Sequence, residues 1–200
     1  EAIRAGADAP CPADLALIPR PRIGYVGRVN LKVDFPLIIQ AAAMRQDWHW
    51  VFIGETGIGA NHSFEGRPAV KADWEQLKRT HNVHFLGVKH RDEVPAYLHN
   101  FDVLSLPFNS SCVGFPTKLF EYFASGKPIV SWNCENIRPV SNLVDIADGP
   151  QEWVGAISRA ISGTAKATAS QRIDYARSED WSSRTDTLER WLLEMTQLSP

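Results

Sequence analysis

Apolar residues along this chain fall in short blocks whose period alternates. Residues 22–29 (RIGYVGRV), 48–54 (WHWVFIG), 83–87 (VHFLG), 102–107 (DVLSLP), 128–132 (PIVSW) and 143–149 (LVDIADG) are brief β-branched or aromatic runs that predict buried strands. Between the first two, residues 34–46 carry Leu37, Ile38, Ala41, Ala42 and Met44 at helical spacing, with Asp34 as N-cap and Pro36 inside the first turn. Further helices are predicted near 69–80, over 91–101, from Pro116 to Ser125, over 150–161 and over 181–195, and the Ala/Ser-rich text between the last two receives no element. Strands alternating with helices imply βαβ crossovers and a parallel sheet covered on both faces. The predicted fold class is therefore α/β, a Rossmann-like doubly wound parallel sheet with helices on both faces.

Composition narrows the picture. A chain of 200 residues, 44% apolar, buries about 70% of the surface its unfolded form exposes, enough for one full-sized domain without metal or disulfide support. The 21 basic and 23 acidic residues form no run of like charge, which argues against a nucleic-acid surface or a polybasic membrane anchor. Cys11, Cys112 and Cys134 are odd in number and widely spaced, as expected in a reduced, cytoplasmic compartment. No apolar stretch reaches the ~18 residues of a membrane span, and the opening residues lack the apolar core of a signal peptide. The chain starts without methionine in Ala/Pro-rich text, so residues 1–21 are expected to be the remnant of a linker in a longer protein. Residues 22–163 then form the main domain and 164–200 a C-terminal helical segment.

In open parallel sheets, ligands bind outside the carboxyl ends of the strands. The loops after 22–29, 48–54, 83–87, 102–107 and 128–132 are the ones that matter. Loop 107–115 feeds a helix with Pro116 expected at its first position and Gly126 as its left-handed stop. The amide groups and positive dipole end of such a helix favour a phosphate. Thr117, Lys118, Glu121 and Ser125 fall at one helical spacing, with Leu119, Phe120 and Phe123 toward the core. Lys118 and Glu121 form an ordinary i,i+3 ion pair, or Glu121 faces the ligand edge and accepts both hydroxyls of a vicinal diol such as a ribose. Other chemistries find no match: ASGKPIV fails the phosphate-loop pattern, GETGIG is not GxGxxG, and neither HExxH nor GxSxG occurs. His81 and His84 flank a strand start and read as satisfied or exposed. The tryptophans read as packing residues, with Trp132, at a strand's carboxyl end, the one to watch.

Residues 113–130, VGFPTKLFEYFASGKPIV, resemble the E-G-F-P-x-x-x-x-E-A-x-A-x-G-x-P motif of retaining GT-B glycosyltransferases, in particular glycosyltransferase family 4. IGYVGRVNLK, WHWVFIG and VHFLG with VPAYLHNFDVLSLPF are similar, in the same order, to the strands of that family's C-terminal domain, so the likeness covers about residues 22–160. The form P-x-K-L-x-E-Y-x-A-x-G-K-P is closest to bacterial members of the teichuronic-acid type. The resemblance implies one half of a GT-B fold, binding a nucleotide diphosphate sugar such as a UDP- or GDP-sugar. It implies that Glu121 accepts the ribose hydroxyls and that Arg28 and Lys32 hold the diphosphate and stabilise the leaving nucleotide. Arg28 and Lys32 otherwise read as exposed loop cations. Gly114, Phe115 and Pro116 align with the family's donors to sugar and phosphate, and Gly87 and Val88 lie where the base meets the chain. Thr117 and Lys118 are expected to bind the donor nucleotide sugar with them. Val113 replaces the motif's first glutamate and Val33 the usual glycine after Lys32; Asn109 or Ser111 is expected to supply the polar contact that Val113 cannot.

No D-x-D occurs, so the metal signature of GT-A enzymes is absent and no metal or cofactor is expected. The resemblance further implies an acceptor-binding N-terminal domain in the same longer protein, transfer to a glycan or lipid-linked acceptor in polysaccharide synthesis, and a fragment that alone transfers little sugar. No nucleic-acid partner and no transmembrane segment are expected, and peripheral contact with the inner face of the membrane is left open. A GT-B-fold sugar-nucleotide epimerase and a non-catalytic nucleotide-binding partner domain are the alternatives.

Overall fold

The computed structural model describes residue 3, residues 6–57, 67–109 and 114–180, and residues 182, 185, 188–191, 193 and 194. Six strands, β1 (Arg22–Val26), β2 (His49–Ile53), β3 (Val83–Phe85), β4 (Val103–Leu106), β5 (Ile129–Trp132) and β6 (Asp145–Ala147), form one sheet in the order β3-β2-β1-β4-β5-β6. Every pairing is parallel. The helices are α1 (Ala13–Ala16), α2 (Phe35–Met44), α3 (Pro68–Arg79), α4 (Val94–His99), α5 (Lys118–Ser125), α6 (Gly149–Ile161) and α7 (Ala169–Ser178), with a 3-10 turn at Glu135–Val140. α2 packs against α3 and α6, and α5 against α4 and α7. Right-handed crossovers put these two layers on opposite faces of the sheet. This is the expected Rossmann-like fold. Strand order reverses between β1 and β4, which opens a crevice at their carboxyl ends.

The strands form because their side chains are buried on both faces: Ile23, Tyr25, Trp50, Phe52, Val103 and Leu104 are all at most 2% exposed. Each such side chain stabilises the fold by about 1.5–3 kcal/mol. α2 starts as expected, with the Asp34 carboxylate accepting from the Leu37 amide at 2.9 Å. It stops where the Asn82 side-chain amide donates to Ala42, Arg45 and Trp48 carbonyls. Trp48, Trp50 and Trp153 are core residues, and His84 is satisfied by His49, ring nitrogens 3.0 Å apart.

Three expectations are corrected. β1 ends at Val26 rather than residue 29, because the chain turns out of the sheet at Gly27 (φ 137°). α5 begins at Lys118 rather than at Pro116; Leu119 and Phe120 amides instead close three-residue turns onto Pro116 and Thr117 carbonyls, at 2.9 and 3.2 Å. Ser125 does not share an exposed stripe with Glu121: it is buried, and its hydroxyl donates to the Tyr122 carbonyl. Lys118, Tyr122 and Ser125, at i, i+4 and i+7, face inward, while Thr117 and Glu121 face out.

Two segments outside the expected elements also pack on the sheet. Leu15 and Ile18, within the expected linker, join the core, and the buried Arg22 guanidinium donates to the Ile18 carbonyl beside them. α7 fills text that received no element. It carries a capping box between Thr168 and Gln171, and its buried Arg172 donates twice to the Gly126 carbonyl at the end of α5. The expected terminal helix is helical at each described position between 182 and 194.

Candidate functional site

The carboxyl edge of the sheet is built from loops stitched to one another. After β1, residues 27–33 do not swing free. Val29 bridges to Thr56 and Val33 to Phe108, and both valines are buried. A buried valine at 33 thus serves as a plug where a glycine would leave a gap. The Asn109 amide donates to the Lys32 carbonyl, and its side chain to the Leu31 carbonyl at 2.6 Å. With its ends held, the loop presents Arg28 outward and Lys32 half-buried. Arg28 Nε lies 3.6 Å from Glu55 Oε2 across the β2 loop, with both side chains well exposed, a pair that contributes little to stability.

Helix α5 closes the other side of the crevice. Lys118 extends back over the end of β1, its Nζ 2.8 Å from Tyr25 Oη and 4.0 Å from that ring's centroid. The Tyr122 hydroxyl accepts from the Val26 amide at 2.8 Å; burial pushes its pKa far up, so it stays a hydroxyl. Gly114 (φ 91°) and Thr117 are exposed, and Phe115 is half-buried against Phe120 at 5.4 Å between centroids. Glu121 is exposed one turn beyond Lys118. Ser111, together with Cys112 and Val113, lies outside the described residues.

Beyond β2 and β3 the floor is bare backbone. The Gly27 amide donates to Ile53 and the Gly54 amide to Gly87, and all three glycines have positive φ. Gly87 and Val88 border a cavity of about 510 Å³ whose walls include Trp74, Phe85, Glu55, Thr56 and Lys78, within the size range of small-molecule sites. Trp74 meets Phe85 edge-on at 4.9 Å. Half-buried Trp132 stands apart, at the end of β5.

The structure therefore brings the Arg28–Lys32 loop, Asn109, Lys118 and the Gly87–Val88 turn to one edge. Tyr25, Tyr122 and Trp74 were missed as site residues; Tyr122, beside Glu121 in the motif, had a signal, whereas Tyr25 reads as an ordinary strand residue. A doubly wound sheet with a glycine floor, a cation at the strand-order reversal and an adjacent aromatic cavity defines a Rossmann-like domain with a candidate ligand site at its carboxyl edge. Its kind is given by sequence comparison: the chain belongs to the family of glycosyl transferases group 1, which it matches over residues 20–163.

The chain is 28% identical to the putative teichuronic acid biosynthesis glycosyltransferase TuaH of Bacillus subtilis (strain 168), over 80% of this chain and 40% of that protein. Among solved structures it is similar to Anabaena Alr3699/HepE in complex with UDP-glucose (TM-score 0.68, 18% identity, 88% of this chain and 49% of that one). It is also similar to the C-terminal domain of the group 1 glycosyl transferase LpcC from Francisella tularensis (TM-score 0.62, 17% identity, 83% and 89%). The chain thus spans less than half the length of TuaH and HepE. The family match supports the glycosyltransferase reading over the epimerase alternative. Among the described residues, no helix is long and apolar enough to cross a membrane.

Proposed function

We propose that this chain is the donor-binding half of a glycosyltransferase that moves a sugar from a nucleotide diphosphate sugar, a UDP- or GDP-sugar, to a glycan or lipid-linked acceptor in cell-surface polysaccharide synthesis. The observation that carries this reading is the family match over residues 20–163 on a chain whose motif helix opens onto the β1–β4 crevice. In it, the base enters the cavity beside Gly87 and Val88, Glu121 accepts the ribose hydroxyls, and Arg28 and Lys32 flank the diphosphate. Gly114, Phe115, Pro116, Thr117, Lys118, Asn109 and Ser111 line the path from phosphate to sugar.

During transfer the bond from the anomeric carbon to the phosphate oxygen breaks, its electron pair staying on the nucleoside diphosphate. The acceptor oxygen forms the new bond and its proton leaves to a phosphate oxygen or to water. Fixed cations stabilise the charge that develops on the leaving group, so the reaction is assigned to side chains with no metal. An acceptor domain in the longer protein supplies the second wall of the cleft, and the whole works in the cytoplasm, at or near the inner face of the membrane.

The test is a thermal-shift scan of the chain against UDP, GDP and ADP. A ligand at a hundred times its dissociation constant stabilises a fold by about 2.7 kcal/mol, about 5–10 °C for a domain of this size. A shift with one base that Glu121→Ala abolishes is the expected result. No shift with any nucleotide would count against the donor site.

A further inference from the structure

We propose that the Lys118 ammonium is the inner cation for the donor's diphosphate and that the Tyr25 hydroxyl is the residue that positions it. The inference rests on the donor-binding reading above and adds which cation lies at the crevice and what holds it there. Lys118 is the first residue of α5, yet its Nζ lies over the end of β1, on the opposite wall. A Cβ built on Gly27 would fall 2.2 Å from this nitrogen, so the missing side chain at Gly27 leaves the space that the ammonium occupies. The Tyr25 ring, 2% exposed, and the Phe108 ring, 5.5 Å from Nζ at its centroid, form the floor beneath it. Aromatic faces attract a cation without cancelling its charge, which suits a group that is to meet an anion.

The Tyr25 hydroxyl has one proton, and it donates that proton to the Arg28 carbonyl at 2.9 Å. Its lone pair is thereby turned to accept from Lys118 at 2.8 Å. One oxygen thus fixes the ammonium and the backbone of the loop that carries Arg28 and Lys32. Arg28 itself pairs outward with Glu55 at 3.6 Å, which leaves it at the rim while Lys118 lies within. Neither the position of Tyr25 in a buried strand nor that of Lys118 beside Glu121 announces this contact, because the two are far apart in sequence.

The test compares UDP, GDP and their nucleosides, uridine and guanosine, by NMR titration of the chain and its variants. Lys118→Met is expected to weaken the diphosphate about tenfold to a hundredfold, the worth of one charge-assisted hydrogen bond, and to leave the nucleoside within about twofold. Tyr25→Phe keeps the ring and is expected to weaken the diphosphate about threefold to tenfold with the same selectivity. Should Lys118→Met fail to fold, Lys118→Gln serves in its place. A wild-type chain that binds neither nucleotide defeats the donor reading itself. A wild-type chain that binds, with a Lys118 variant that keeps its diphosphate affinity or loses nucleoside affinity equally, overturns the assignment of Lys118 and leaves the donor reading standing. Unchanged diphosphate affinity in Tyr25→Phe overturns the positioning role.

Discussion

Replacing Tyr122 by phenylalanine removes one oxygen from the interior and tests how α5 is fixed to the sheet. Tyr122 has no exposed surface, and its hydroxyl accepts the amide proton of Val26 at 2.8 Å. The β1–β4 ladder pairs Ile23 with Val103 and Gly24 with Leu104, so Val26 lies beyond those pairs, at the crevice. Tyr122→Phe keeps the ring and its packing and leaves this amide without its acceptor. An unmade hydrogen bond at this part-buried donor costs about 1–3 kcal/mol, and each kcal/mol lowers the melting temperature of a domain this size by about 2–4 °C. The expected loss is thus about 2–12 °C, with urea unfolding showing a lower midpoint at unchanged slope. Hydrogen exchange at the Val26 amide should accelerate more than at Ile23 or Gly24, since the opening is local. Because burial keeps the hydroxyl protonated, the difference between wild type and variant should not vary with pH through the neutral range. A stability change below about 0.5 kcal/mol together with unaltered exchange at Val26 would refute the reasoning.

The glycine floor gives a comparison of two like substitutions. Gly27 and Gly54 have φ of 137° and 135°, so alanine strains both by about 1–3 kcal/mol; but a Cβ on Gly54 meets the Gly27 carbonyl oxygen at 2.3 Å, whereas one on Gly27 meets the movable end of Lys118. Denaturation midpoints should therefore fall further for Gly54→Ala, and equal losses would sink the distinction. At the opposite end of the sheet, burial first and then neighbouring imidazoles hold the pKa of His49 and His84 below the ordinary 6.5; His81 adds to both and Arg22 to His49, while Asp47 opposes the shift at His49. The unfolded chain binds these protons more readily, so this contribution is complete above pH 6.5 and is lost as pH falls through the folded values. His84→Gln should flatten the melting temperature against pH on that acid side, and identical slopes would exclude the pair as its source.

The sheet was legible because parallel strands buried on both faces read as unbroken apolar runs, and α2 because Asp34 and Pro36 mark its start. Where the reading failed, tertiary contacts replaced periodicity. Val29 prolongs the apolar run of β1, yet it is buried from a loop that is pinned to Thr56. α7 hides its purpose in a polar sequence, since its most buried residue is Arg172; only the Thr168–Gln171 capping box could have marked it. For the candidate site, topology singled out the carboxyl edge of the sheet, and the loops of Arg28, Lys32, Gly87 and Asn109 lie along that edge. Which cation points inward was not predictable, because it depends on where α5 begins, at Lys118 rather than Pro116, and on the direction of a single side chain.

On the donor-binding reading, the register of α5 links stability to ligand binding. Lys118 and Tyr122 are one turn apart on the inward face of α5, and each bonds to the last part of β1: the first gives a proton to Tyr25, the second takes one from Val26. The two bonds run in opposite directions across the crevice, so α5 cannot rotate about its axis without losing one of them. The other end of the helix is held as firmly, by Arg172 on the Gly126 carbonyl. Glu121, between the two inward residues, is therefore directed outward by the contacts of its neighbours. On the donor-binding reading this is what the ribose requires, a carboxylate held toward the ligand by a helix whose register is set from beneath. The same register places the Lys118 ammonium above Gly27. Loosening Tyr122 should accordingly weaken nucleotide diphosphate binding even though Tyr122 itself lies wholly inside the fold.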